Sequence, residues 1–416
     1  MLEELLIKNF LSFRDEVTLS LEATNDDMGE GSYVVKMPDG KRLLRFALIY
    51  GANAAGKSNV LKALDFLQEF LFNRADSIDE GTGVIPFRLN STSSNEPTII
   101  NVRFYAKGLR YHYELELDAS QVLHEKLSVY NSVQPTMLFD RTNAEGISEI
   151  KYNPSVVKVS QAVKDEIALR CYRNMSFFAA RGLVNTAIPL IDDAREWFRM
   201  SLSNMINPGS QMFIQAQERM EEDANAKNEL LEFIKYADFN VVDLQTYRSQ
   251  VELAEAIRDI LIKSGQDIPT RLNTNFVHKV VNEKGDEYYV LPASLQSRGT
   301  KRILGLEAAV NAAKTQSAVI PIDEIDSSLH PDLVEYFLYQ FLSSDSQSQI
   351  IATTHYDSLL DTIDDLLRKD SIWFAEKHQD GNSDLYSLVE YKGLNKISSF
   401  RRSYRGGRFG AVPNIM

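Results

Sequence analysis

The chain has 416 residues, 44% hydrophobic and 25% charged, the makeup of a globular protein with two or three domain-sized units. One cysteine, Cys171, excludes a disulfide framework and fits a reducing cytosol, and the lack of any apolar run of about 18 residues excludes a helical membrane span. Acidic residues outnumber basic ones 58 to 45, a net charge of −13 that argues against a free nucleic-acid binder and favours a protein partner.

The first residues read as a hairpin, Leu5–Phe10 against Val17–Leu21, with no basic region and apolar core of a secretory leader before it. A cytoplasmic, non-membrane protein is expected. Residues 24–42 are polar and turn-rich. The apolar run Phe46–Tyr50 then leads into Gly51-Ala52-Asn53-Ala54-Ala55-Gly56-Lys57-Ser58 and an amphipathic helix running to about Phe72. Strand, glycine loop and helix in this order make a phosphate-binding loop. Gly51 and Gly56 permit the tight turn, so that the N–H groups of Asn53, Ala54, Ala55, Gly56 and Asn59 can face a triphosphate. Lys57 reaches the outer phosphates, and the Ser58 hydroxyl is a ligand for Mg²⁺. ATP with Mg²⁺ is the expected ligand pair.

Alternating runs at Ile99–Tyr105 and Tyr111–Leu117, with Lys107-Gly108 between them, predict adjacent antiparallel strands, and Val122–Val129 a third. From about Pro154 to Ser264 the spacing is helical, and no heptad repeat is sustained. Cys171 has no Cys or His at metal spacing and reads as core. From Phe276 onward strands and helices alternate, which predicts a parallel sheet.

Within that last stretch, Ser294–Arg302 precedes a helix. Ser297, Gly299 and Thr300 there form either a second anion-binding helix start or an ordinary cap. One nucleotide does not need two cradles in one chain, so the functional reading closes this one over the ATP of a second copy. Ala318–Ile322 then delivers Asp323 and Glu324 to a strand end, Asp323 to hold Mg²⁺ and Glu324 to act as general base. Pro321 is out of place for a central strand. The strand Gln349–Thr354 ends at His355, which can hydrogen-bond the terminal phosphate. Alone it would read as structural. Arg401, Arg402, Arg405 and Arg408 read equally as a nucleic-acid or acidic-partner surface and as a solvated, ion-paired tail.

In this order the motifs resemble the ABC-type ATPase head of the SMC, RecN, RecF and OLD branch, including the opening Ile7-Lys8-Asn9-Phe10 with Ser12-Phe13. Trp373–Lys377, Leu385–Leu388 and Tyr404–Pro413 resemble more narrowly the stand-alone ATPases of bacterial abortive-infection and related antiphage systems, of the RloA, AbiLi and PARIS type. The resemblance implies an α/β fold: a P-loop head with an antiparallel β lobe and a helical insertion. Its parts would be 1–150 (P-loop half and β lobe), 151–270 (helical insertion) and 271–416 (signature, Asp-Glu and His half). It also implies Lys57, Glu324 and His355 as catalytic residues, Ser58 and Asp323 at the metal, and Ser297, Gly299 and Thr300 as an in-trans signature. By resemblance, Phe13 and Arg14 lie near the base and ribose.

The implied activity is ATP hydrolysis by an ATP-sandwiched homodimer or higher oligomer. It would control a separate effector, with a nuclease among the options, in response to a phage protein or nucleic acid. The alternative is a RecF/RecN-like repair ATPase acting on DNA. The signature lacks the Leu-Ser-x-Gly-Gln form, and Pro86-Phe87-Arg88-Leu89 stands where a glutamine loop would be sought. Too few residues follow His355 for an appended Toprim nuclease, and Glu376, Asp380 and Asp384 read as loop acids.

Overall fold

The computed structural model describes residues 1–144, 146–238, 240–314 and 317–412. In chain order it begins with β1 (Leu2–Lys8), β2 (Val17–Ser20), β3 (Val34–Lys36), β4 (Arg42–Leu44) and β5 (Phe46–Tyr50), followed by α1 (Lys57–Phe70). Next come β6 (Thr98–Ala106), β7 (Leu109–Leu117), β8 (Val122–Tyr130), β9 (Thr136–Ala144) and β10 (Ile147–Tyr152). The helices α2 (Gln161–Arg170), α3 (Phe177–Arg181), α4 (Pro189–Glu196), α5 (Met212–Glu222) and α6 (Ala224–Ala237) precede β11 (Val241–Gln250) and α7 (Glu255–Lys263). The remainder is β12 (Thr270–Asn282), β13 (Gly285–Pro292), α8 (Arg298–Lys314), β14 (Val319–Ile322), α9 (Pro331–Leu342), β15 (Gln349–Thr353), β16 (Ile372–Lys377), β17 (Ser383–Ser387) and α10 (Phe400–Arg405).

The architecture is mixed α/β and divides into two compact units, 1–208 with 314–325 and 339–416, and 209–313 with 326–338. In the first, a seven-stranded sheet runs β10-β9-β8-β7-β6-β1-β2. The expected hairpin sets Leu5 opposite Leu19, and β6–β8 form the expected antiparallel strands. Buried alternate residues (Val102, Phe104, Tyr111, Tyr113, Leu127) face a helical layer. Phe104 stacks on Trp197 at 4.2 Å and Phe139 on Phe177 at 3.9 Å, so aromatic area holds the 177–198 helices to the sheet.

One ionic contact lies inside this layer. Glu125 and Arg141 are opposed across β8 and β9, both fully buried, 2.8 Å apart. The remaining donors and acceptors have partners: Tyr113 and the Phe177 N–H donate to Glu125, and Arg141 donates to the Met175 and Tyr172 carbonyls and to Ser148 Oγ. Cys171 lies beside it as buried core, its thiol pushed up to about 11 by loss of solvent.

The second sheet of this unit runs β14-β15-β5-β16-β17, parallel from β14 through β16 with β17 antiparallel. It places the ends of β5, β14 and β15 side by side, the ligand-binding edge of an α/β sheet. Pro321 is accommodated because β14 is the edge strand. Ala318 accepts from Gln349 on the β15 side, whereas Pro321 accepts from the Ile206 N–H on the other. The missing N–H therefore faces the short Leu202–Ile206 segment and costs the ladder nothing. Arg45, fully buried just before β5, donates to the carbonyls of Ser32, Phe341, Leu342, Ser344 and Ser348 and lies 4.6 Å over the Phe341 ring. It ties the loop strand to the last turn of α9.

The second unit pairs a three-stranded antiparallel sheet, β11-β12-β13, with α5 and α6, burying Leu230, Phe233, Leu244 and Phe276, and α8 meets α5 at Gly305 and Met212. Among the described residues, the stretch expected to be helical, about 154–264, contains six α-helices and also the strand β11.

Candidate nucleotide site

The phosphate loop follows β5 as the sequence predicts. Gly51, Ala54 and Gly56 have φ of 155°, 59° and 102°. A Cβ at Gly51 would lie 2.3 Å from the Ala375 carbonyl oxygen, and one at Gly56 2.6 Å from Ser12 Oγ, so both glycines are required by space as well as by conformation. Asn53 and Ala54 face solvent, and Ala55 is buried. Behind the loop, α1 buries Val60, Leu61, Leu64 and Leu67, fixing the helix start.

Two distant segments, Asp323–Glu324 and Thr353–His355, converge on this loop. The buried Lys57 amine donates to the Gly51 and Ala52 carbonyls at 2.8 and 2.9 Å and lies 3.4 Å from His355 Nδ1. Ser58 Oγ donates to Asp323 Oδ1 at 2.8 Å. Thr353 Oγ1 donates to the same oxygen at 2.6 Å and accepts from the Glu324 N–H at 2.8 Å. Glu324 has φ of 48°, the left-handed region that side chains other than glycine rarely occupy. Its Oε1 lies 3.8 Å from His355 Nε2, and the two side chains are 41% and 37% exposed. The Glu324 and His355 side chains are therefore reachable from solvent, while Lys57 and Asp323 are held from beneath.

Lys57, Ser58, Asp323, Glu324 and His355, scattered over about 300 residues of sequence, thus share one site. The donor set fits a magnesium nucleotide: glycines whose side-chain space is taken by the loop's neighbours, a primary amine, and a hydroxyl paired with a carboxylate. Asn59 is turned to Ser12, its amide donating to Ser12 Oγ at 2.8 Å. Ser297, Gly299 and Thr300 belong to the second unit. Ser297 Oγ accepts from the Thr300 N–H at 3.0 Å, a helix cap, and Ser297 is exposed. A Cβ at Gly299 would lie 2.5 Å from the Ser328 carbonyl, so the glycine admits the loop after Glu324.

Other expected positions have local partners. Phe13 is fully buried core, and Arg14 pairs with Asp15 and Asp380 at 2.8 Å each. Those bonds raise the Arg14 pKa, and the Asn382 N–H, then Arg14, lower that of Asp380. Phe87 donates its N–H to Asn9 Oδ1, which ties the Pro86–Leu89 stretch to the end of β1. Glu376 accepts from Tyr386, and Asp384 lies 2.7 Å from His378. Arg401 and Arg405 pair with Asp357, and Arg401 also with Asp361, while Arg402 and Arg408 are exposed. In the Tyr404–Pro413 stretch, Tyr404 and Phe409 stack on Phe374 beneath the loop strand, and Pro413 lies outside the described residues. Thr353 and Ser383, whose Oγ would lie 2.8 Å from a Cβ at Gly56, border the site with no motif of their own, and Ser12 entered only as part of the opening stretch.

Residues 46–153 and 212–361, more than half of the chain, match the family model described as "AAA domain, putative AbiEii toxin, Type IV TA system". The chain belongs to this family. Among solved structures, the SMC head domain from Thermotoga maritima is similar at 15% identity and a TM-score of 0.41, over 93% of this chain and 98% of that one. An SmcHead bound to the C-winged helix domain of ScpA is similar at 14% identity and a TM-score of 0.45, over 95% of this chain and 98% of that one. No curated protein matches the chain.

Proposed function

We propose that this AAA-family protein binds and hydrolyses ATP as the sensing or regulatory component of an antiphage, abortive-infection system whose effector is a separate chain. The observation that carries the enzymatic half is the meeting of Lys57, Ser58, Asp323, Glu324 and His355 at one sheet edge. The wording of the family description supports the defence half.

In this reading the loop N–H groups and Lys57 hold the phosphates. Ser58 and Asp323 would hold Mg²⁺, which would offset phosphate charge. Glu324 takes a proton from water as its oxygen bonds to the γ-phosphorus. The bond to the bridging β–γ oxygen breaks, giving ADP and phosphate. His355, beside Glu324, contacts the terminal phosphate. Ser297, Gly299 and Thr300 would close over the nucleotide of a second copy.

The test couples two assays. Purified protein should release phosphate from ATP, and Glu324→Gln should slow release by roughly 10²–10⁴-fold, the span of general-base catalysis, and accumulate as an ATP-bound dimer in sizing experiments. A variant that stays monomeric at saturating ATP refutes the sandwich. Cells carrying the gene with its native neighbours should resist phage, and Glu324→Gln should abolish resistance. Hydrolysis without protection against a broad phage panel would leave an ATPase and discard the defence role.

A further inference from the structure

The ligands of the proposed site are held in register by a residue outside the motifs. Thr353, at the last position of β15, is fully buried, and it touches three consecutive residues of the Asp323–Ile325 turn. Its hydroxyl donates to Asp323 Oδ1 at 2.6 Å and accepts from the Glu324 N–H at 2.8 Å, while its carbonyl accepts from the Ile325 N–H at 3.0 Å.

A hydroxyl has one proton. Because the Glu324 N–H occupies a lone pair, that proton is directed to the Asp323 carboxylate, where Ser58 also donates. The same oxygen therefore fixes the carboxylate on one side and the peptide of Glu324 on the other. That peptide needs fixing. Glu324 has φ of 48°, a left-handed conformation that persists in such a residue only where its surroundings impose it. The left-handed turn is what sends the Glu324 side chain toward His355.

We propose that Thr353 is a positioning residue for hydrolysis, its hydroxyl coupling the carboxylate of Asp323 to the orientation of Glu324. The inference rests on the ATPase reading of this site and adds to it a residue whose role is exercised through two others.

The test compares Thr353→Val, which keeps the shape and removes the hydroxyl, with Thr353→Ser, which keeps the hydroxyl and removes the methyl. In the nucleotide-free full chain, hydrogen exchange at the Glu324 amide should quicken at least about tenfold in Thr353→Val and stay near wild type in Thr353→Ser. In steady-state ATP hydrolysis, Thr353→Val should lower kcat at least about tenfold with KM within about twofold, and Thr353→Ser should recover most of kcat.

An unchanged Glu324 amide and unchanged kcat in a folded Thr353→Val protein overturn the proposal. So does a Thr353→Ser variant as impaired as Thr353→Val. If wild type shows no hydrolysis, the ATPase reading fails. The exchange experiment then still decides whether Thr353 holds the turn, and unchanged exchange would remove that as well.

Discussion

The phosphate-loop site and the Ser297–Thr300 corner both present polar groups at a helix start, yet they are built in opposite ways. Around the loop, Lys57, Asp323 and Thr353 are locked by partners contributed from positions as distant as 51 and 355. At the corner, Ser297 is exposed and its partner is three residues away. A site assembled from remote segments is defined by the fold and tolerates little. At the corner the hydroxyls bond only to their own turn, so the exposed Ser297 can meet something outside.

The sharpest way to break this comparison is Lys57→Ala. If the loop holds ATP, removing this buried amine should weaken binding by roughly 100-fold, about 2.8 kcal/mol, read by titration with a fluorescent nucleotide. Unchanged affinity would show that the loop is not the site.

Arg141→Met probes the same dependence on remote partners where no ligand is involved. It strands the buried Glu125 carboxylate and should cost about 3–5 kcal/mol, seen as a lower denaturant midpoint with ATP affinity per folded molecule unchanged. Gly299→Ala sharpens the comparison from the other side. The added methyl meets the Ser328 carbonyl and should destabilise by about 1–3 kcal/mol. If the corner acts on a second copy, hydrolysis should fall with protein dilution in this variant while ATP still binds.

The smallest effect concerns His378. Its hydrogen bond to Asp384 raises the imidazole pKa above 6.5. A raised folded-state pKa means that the stabilisation is complete at pH values below the unfolded value and fades as pH rises through the folded value. The pair is largely exposed, so a few tenths of a kcal/mol is expected. His378→Gln should flatten that slope in unfolding curves taken between about pH 5 and 8.

The parts of the fold legible in the sequence were those with local signals. The glycine spacing of residues 51–58 announces its loop, and period-two alternation announces β6 and β7 down to the turn at Lys107-Gly108. Strand β11 was hidden because only Val241 and Leu244 along it are buried, so its second half shows no alternation for a sequence reading to detect. The same holds at the site. Asp323 and Glu324 stand out at the end of an apolar run, whereas Thr353 is one more β-branched residue in a buried strand. Its role depends on β15 lying beside β14, a pairing that local pattern does not encode.

Pro321 carries a consequence for how the molecule behaves in company. An edge strand with free N–H groups is a template on which another chain can add. Here the strand that delivers Asp323 offers a blank where the third donor would be, and Leu202–Ile206 occupies positions on either side through the Val319 carbonyl and the Asp323 N–H. The sheet therefore ends at β14 by chemistry, and a nascent or crowded copy finds no ladder there to extend.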